Sequence, residues 1–114
     1  MCSQATLDTV TEKIAQAAKE SLGDKLDRVI LYGSYARGDF DEESDIDIMV
    51  LADIPHEDCW KTYMLHFNKL SSRVGLENDI LISIHVQDVE TFQRFAGDLP
   101  FYKNVLEEGV ELIA

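Results

Sequence analysis

The twenty residues Leu31–Val50, LYGSYARGDFDEESDIDIMV, constrain the fold more than any other stretch of the chain. An apolar run over residues 27–32, DRVILY, stops at Gly33-Ser34. A polar loop follows as far as Ser44, and a second apolar run then carries Asp45 and Asp47. Strand side chains alternate between two faces. An extended Asp45–Leu51 segment therefore projects both aspartates one way and Ile46, Ile48 and Val50 the other. The isoleucines and valine need a cover of helices, and the carboxylates need an open face. Two carboxylates this close repel, and one pKa rises. A divalent cation with oxygen ligands removes that penalty. The Gly33-Ser34 bend supplies the complementary half, because small residues let backbone N–H groups approach phosphate oxygens. Ser34 adds a hydroxyl and Arg37 a planar cation. The parts suit a nucleoside triphosphate bound through magnesium.

A chain of 114 residues, 46% of them hydrophobic, can bury a core as one compact domain spanning residues 1–114. No apolar run approaches the roughly 20 residues of a membrane helix. The start, MCSQATLDTVTEK, lacks the basic and apolar regions of a signal peptide. Cys2 and Cys59 have neither metal nor redox spacing, so a cytoplasmic protein with free thiols is expected. The net charge of −12 disfavours a long nucleic-acid substrate, which needs a basic surface. It leaves room for a small metal-borne nucleotide and for a basic protein partner.

Residues 4–22 read as an amphipathic helix, with Leu7, Val10, Ile14, Ala17 and Leu22 on one face and Gly23 as its cap. Residues 34–38 form one helical turn whose first amides face the phosphates. Asp39, Asp41, Glu42 and Glu43 are a solvated loop without chemistry, and Ser44 bonds within the turn before the second strand. A helix over residues 56–73 places Trp60, Met64, Phe67, Leu70 and Val74 inward and ends at Gly75. His56 and His66 lack a second ligand at helical spacing and read as surface residues. Residues 79–87 alternate as a third strand. Ile80, Ile82, Ile84 and Val86 share one face, and Asp79, Leu81, Ser83 and His85 the other. Asp88 caps a short helix, and Pro100 opens another with Phe101, Val105 and Leu106 inward. Gly109 ends it, leaving Val110–Ile113 for an edge strand. The order predicts a two-layer α/β (α+β) domain, with helices on one face of a small mixed sheet and the aspartates on the other.

Gly33-Ser34, ten intervening residues and then Asp45-Ile46-Asp47 resemble the signature of the DNA polymerase β-like nucleotidyltransferases. The longer string GSYARGDFDEESDIDIMV is similar to the minimal nucleotidyltransferases, many of them antitoxins paired with a HEPN-domain ribonuclease toxin. The resemblance implies a polymerase β-like palm and a third carboxylate from a neighbouring strand. Asp79 heads the third strand and fits that place, with Ser83 and His85 as alternatives. It further implies two Mg2+ ions on Asp45, Asp47 and Asp79, and ATP phosphates held by Gly33, Ser34 and Arg37. The reaction would be in-line transfer of AMP to a tyrosine hydroxyl of the HEPN toxin.

Two other functions fit parts of this pattern. One is an antitoxin that neutralises its partner by binding alone. The other is a nucleotidyltransferase acting on a small aminoglycoside-like cation, which the acidic surface would suit. The plainest alternative is an α/β domain whose aspartates only cap turns.

Overall fold

The computed structural model describes residues 3–41 and 44–113, so Glu42 and Glu43 of the expected solvated loop, and Cys2, lie outside the described residues. Helix α1 spans Gln4–Leu22 and strand β1 Leu26–Tyr32. The short helix α2 (Ser34–Arg37) leads through the loop to β2 (Ile46–Ala52). Helix α3 (Met64–Asn78) and strand β3 (Ile82–Asp88) follow, then α4 (Val89–Phe95), α5 (Pro100–Glu108) and β4 (Val110–Ile113). The four strands form one mixed sheet in the order β3-β2-β1-β4. Strand β1 runs antiparallel to β2 and β4, whereas β2 and β3 are parallel.

The register of β2 follows from burial. Ile46, Ile48 and Val50 are fully buried against α1 and α3, in the cluster that also holds Val10, Ile14 and Phe67. Each such side chain contributes roughly 1.5–3 kcal/mol when taken from water. A slip of one residue would exchange them for Asp45 and Asp47, so the pattern admits one register. The long helices α1 and α3 cover this face, as the sequence predicts. The short helices α4 and α5 pack on the opposite face, where Phe92 and Val105 close over Ile30, Met49 and Leu51. The open part of that face is therefore confined to the end of the sheet that carries Asp47, Ser83 and His85.

Helix α1 and its end at Gly23 match expectation, and Ser3 caps its start by accepting from the Thr6 amide. The region after Pro55 differs. The helix begins later, and a wider π turn over Cys59–Tyr63 precedes it. That turn rotates Cys59 inward and leaves Trp60 and Met64 half exposed, contrary to the predicted stripe. Phe67, Leu70 and Val74 are buried as expected. In α5 only Val105 is buried, while Phe101 and Leu106 stay exposed. Phe101 instead lies edge-on to Tyr32, with ring centroids 5.6 Å apart.

Helix α3 also ends later than predicted. Gly75 does not cap it but stays inside, because the Ile80 carbonyl oxygen lies 2.6 Å from where a Cβ would stand. The capping position passes to Asp79, in the left-handed conformation at φ 53° and ψ 48°. Strand β3 then starts at Ile82 instead of residue 79.

Candidate active site

The site forms where β1 ends and β2 begins. Tyr32 and Asp47 are direct partners in the antiparallel ladder, so Gly33 leaves β1 beside Asp47. Gly33 has φ 78° and ψ −158°, a region open essentially to glycine alone. A Cβ on it would stand 2.5 Å from Asp47 Oδ2. The bend and the carboxylate are thus in contact, and only a bare Cα allows it. Helix α2 starts at Ser34, with the amides of Ala36 and Arg37 both donating to the Gly33 carbonyl (3.1 Å). Tyr35 is buried and stacks on Phe40 with centroids 4.4 Å apart, which fastens the turn to the start of the loop. At the far end of that loop the Asp41 amide donates to Ser44 Oγ (2.9 Å), so Ser44 closes the turn before β2 as predicted.

Asp45 is exposed and Asp47 half-buried. The Asp47 pKa is raised, first by burial and then by the neighbouring Asp45 charge, with Arg37 opposing the shift. Burial, and next the Asp47 carboxylate, push the Tyr32 phenol up to about 12. Burial and the neighbouring charge thus act on Asp47 in the direction expected for two carboxylates held close together. Arg37 is close enough to act on Asp47, yet its guanidinium is engaged by Asp39 (3.2 Å) and Glu108 (3.4 Å). Both pairs are exposed, and such pairs contribute only about 0–1 kcal/mol each. Exchanging them for a phosphate is inexpensive.

Asp79 is not where the sequence reading put it. It caps α3 and precedes β3, and so does not head the third strand. Among the described residues, the one set of three His, Cys, Asp or Glu ligand atoms lying within 4.8 Å of one another is His56, Cys59 and Asp88. Asp79 borders, with Asp45, a cleft of about 710 Å³ flanked by the exposed Leu76 and Leu81. The strand position beside Asp47 belongs to Ser83, its partner in the parallel β2–β3 ladder. His85 lies one step further on, beside Met49.

The family model for the Nucleotidyltransferase domain matches residues 11–112. The chain belongs to the nucleotidyltransferase family. One relative in that family, a Methanocaldococcus jannaschii protein named "Putative protein adenylyltransferase", is 34% identical over 98 residues, covering 86% of this chain and 89% of its own. Another of the same name and organism is 53% identical over 62 residues, and the chain spans only 60% of its length. Among solved structures, one described as "putative minimal nucleotidyltransferase" superposes with a TM-score of 0.64 at 21% identity, over 97% of both chains. A chain from the complex of tri-AMPylated Shewanella oneidensis HEPN toxin with MNT antitoxin superposes with a TM-score of 0.52 at 20% identity. That match covers 94% of this chain and 71% of the other. The fold is thus that of the minimal nucleotidyltransferases, as the motif implies. No described helix is long and apolar enough to cross a membrane.

The sequence reading missed one constellation. His56, a surface residue by its sequence spacing, donates from Nδ1 to Asp88 Oδ1 (2.8 Å), and the Cys59 thiol donates to the same oxygen (3.8 Å). Asp88 does cap α4 as predicted, accepting from the Thr91 amide (2.9 Å). Burial alone would raise the Asp88 pKa, but the hydrogen bonds from His56 and Thr91 outweigh it and hold the group down to about 2. The spacing of His56 and Cys59 is visible in the sequence; their meeting with Asp88 depends on the π turn and is not.

Proposed function

We propose that the protein is a protein adenylyltransferase that moves AMP from ATP to a tyrosine hydroxyl of a HEPN-domain toxin, and so acts as its antitoxin. The contact of the Asp47 carboxylate with the bare Cα of Gly33 carries this reading. It brings a group that can bind cations against a bend that can bind phosphate. The names of the relatives support the protein acceptor and the AMP donor. The chain matches only part of one of them, so substrate and partner belong to the proposal.

Asp45 and Asp47 would hold the magnesium ions. They fit that role: both are on one face, both meet solvent, and their mutual repulsion is relieved by a cation. When bound, the two ions supply charge neutralisation and acidify the attacking hydroxyl. The remaining work falls to the chain itself. The Ser34 hydroxyl and the Ser34 amide at the bend orient the β and γ phosphates. Arg37, released from Asp39 and Glu108, balances further phosphate charge. The tyrosine hydroxyl gives its proton to solvent as its oxygen forms a bond to the α-phosphorus, the bond from that phosphorus to the bridging oxygen breaks, and pyrophosphate leaves. Positioning and charge complementarity account for the rate. Ser83, next to Asp47 on the neighbouring strand, would stand where the family resemblance implies a third carboxylate, and Asp45 and Asp47 would carry the ions without one there.

The test is incubation with magnesium, labelled ATP and the HEPN partner, followed by mass spectrometry. The reading expects an AMP adduct on a partner tyrosine, absent with Asp45→Asn. Neutralisation of the toxin that survives Asp45→Asn, with no adduct, would favour an antitoxin acting by binding alone. Label on a small cationic acceptor with none on the partner would favour the other class.

A further inference from the structure

We propose that His56, Cys59 and Asp88 form a zinc site, separate from the nucleotidyl-transfer centre. The three residues come from the turn after Pro55, the first position of the π turn and the end of β3. Their ligand atoms converge within 4.8 Å of one another. Asp88 pairs with Ala52 in the β2–β3 ladder, whereas Asp47 pairs with Ser83. The two sites are thus five strand residues apart, roughly 17 Å at about 3.3 Å per residue.

The distances are close to those a tetrahedral ion demands. Zinc bonds of about 2.0–2.1 Å to nitrogen and oxygen and about 2.3 Å to sulfur separate N from O by about 3.3 Å and S from O by about 3.5 Å. The present separations are 2.8 Å for His56 Nδ1 to Asp88 Oδ1 and 3.8 Å for Cys59 Sγ to the same oxygen. For these two separations, shifts of about half an ångström or less would suffice. His56 can make such a shift readily, because its side chain is 66% exposed.

The surroundings fit a metal better than a chance cluster. The Asp88 carboxylate is 2% exposed and held from both sides. The Gln87 amide donates to Oδ1 (3.0 Å) and the Thr91 amide to Oδ2 (2.9 Å). One oxygen thus caps α4 while the other is oriented for a ligand role, as outer-shell bonds do at metal centres. The π turn that points Cys59 inward is itself a rare feature concentrated at functional sites. A cleft of about 320 Å³, lined by His56, Cys59, Trp60, Met64 and His85, opens on the cluster and leaves room for a fourth ligand. Mixed thiolate, imidazole and carboxylate donors suit zinc and exclude magnesium. On binding, the Cys59 thiol proton leaves to solvent and the His56 proton moves from Nδ1 to Nε2, so one proton is released per ion. The ion would clasp the segment after Pro55 to the end of β3.

Titration of the reduced full-length protein with Co2+ reads the site directly, through the near-ultraviolet charge-transfer band of a cobalt–thiolate bond. One equivalent of cobalt, displaced by one of Zn2+, is expected. The band should vanish in Cys59→Ser, affinity should fall at least tenfold in the exposed His56→Ala, and Asp45→Asn should leave both unchanged. Absence of the band in the wild-type protein would overturn the proposal. So would a band that survives Cys59→Ser, which belongs to Cys2, or one of unaltered affinity in His56→Ala. Should Cys59→Ser fail to fold, the His56→Ala comparison decides alone.

Discussion

Replacing Gly33 and Gly38 separately by alanine distinguishes a glycine required by the backbone from one required by the site. Both have positive φ, 78° and 84°. At Gly38, ψ is 10°, and an added Cβ meets nothing within 4 Å. Gly38→Ala should therefore cost only the left-handed penalty, about 1–2 kcal/mol. For a domain near 100 residues that lowers Tm by roughly 4–16 °C, at about 4–8 °C per kcal/mol. At Gly33 the backbone penalty is comparable, about 1–3 kcal/mol. The new methyl group would also stand 2.5 Å from Asp47 Oδ2, where real Cβ atoms do not sit. The carboxylate must move by most of an ångström, and misplacement on that scale costs about 10²-fold in rate. Thermal unfolding and AMP transfer, measured on both variants, should show similar losses of stability. Transfer should fall about a hundredfold in Gly33→Ala and less than threefold in Gly38→Ala. Equal residual activity in the two would refute the claim that Asp47 acts from its position on the bend.

Asp45→Asn removes one of two repelling charges, so Tm in magnesium-free buffer should hold or rise while transfer falls by at least about 10²-fold. Differential scanning fluorimetry and the labelled-ATP assay check the two halves. Arg37→Ala should raise KM for ATP several-fold and lower kcat less, because the guanidinium must first leave Asp39 and Glu108; steady-state kinetics separates the two. Phe40→Ala strips the stacked cover from Tyr35, at a cost of about 1 kcal/mol for the aromatic pair, and should raise KM in the same assay. In metal-free buffer the Asp88 carboxylate, held down to about 2 from an ordinary 3.8, stabilises the fold above pH 3.8. That contribution should be lost as pH falls from 3.8 toward 2, and Asp88→Asn should flatten this part of an acid-unfolding profile.

Much of the fold is legible because local rules and burial agree. The caps Gly23 and Asp88, the alternation in β2 and Pro100 at the start of α5 each point the same way as the packing does. The failures cluster after Pro55. The π turn is a tertiary compromise that puts Cys59 under α3, and no period of three or four residues announces it. Gly75 reads as a cap, yet it serves the approach of the Ile80 carbonyl, and that carbonyl's position depends on where β3 docks. This one displacement explains Asp79: with α3 longer by a turn, the residue becomes a helix cap, and the place beside Asp47 goes to Ser83. The Gly33–Asp47 half of the site was legible because a two-residue alternation and one bend define it. The His56–Cys59–Asp88 cluster was not, since its members are 29 and 32 residues from Asp88 and meet only once β3 lies against the π turn.

The most direct test of the central claim is a crystal structure with Mn2+ and a non-hydrolysable ATP analogue, in which anomalous scattering locates the metal. The expected result is manganese between the Asp45 and Asp47 carboxylates, with the β and γ phosphates against Gly33 and Ser34. Manganese and triphosphate bound elsewhere, for example in the cleft beside Leu76 and Leu81 with Asp47 free of metal, would contradict it.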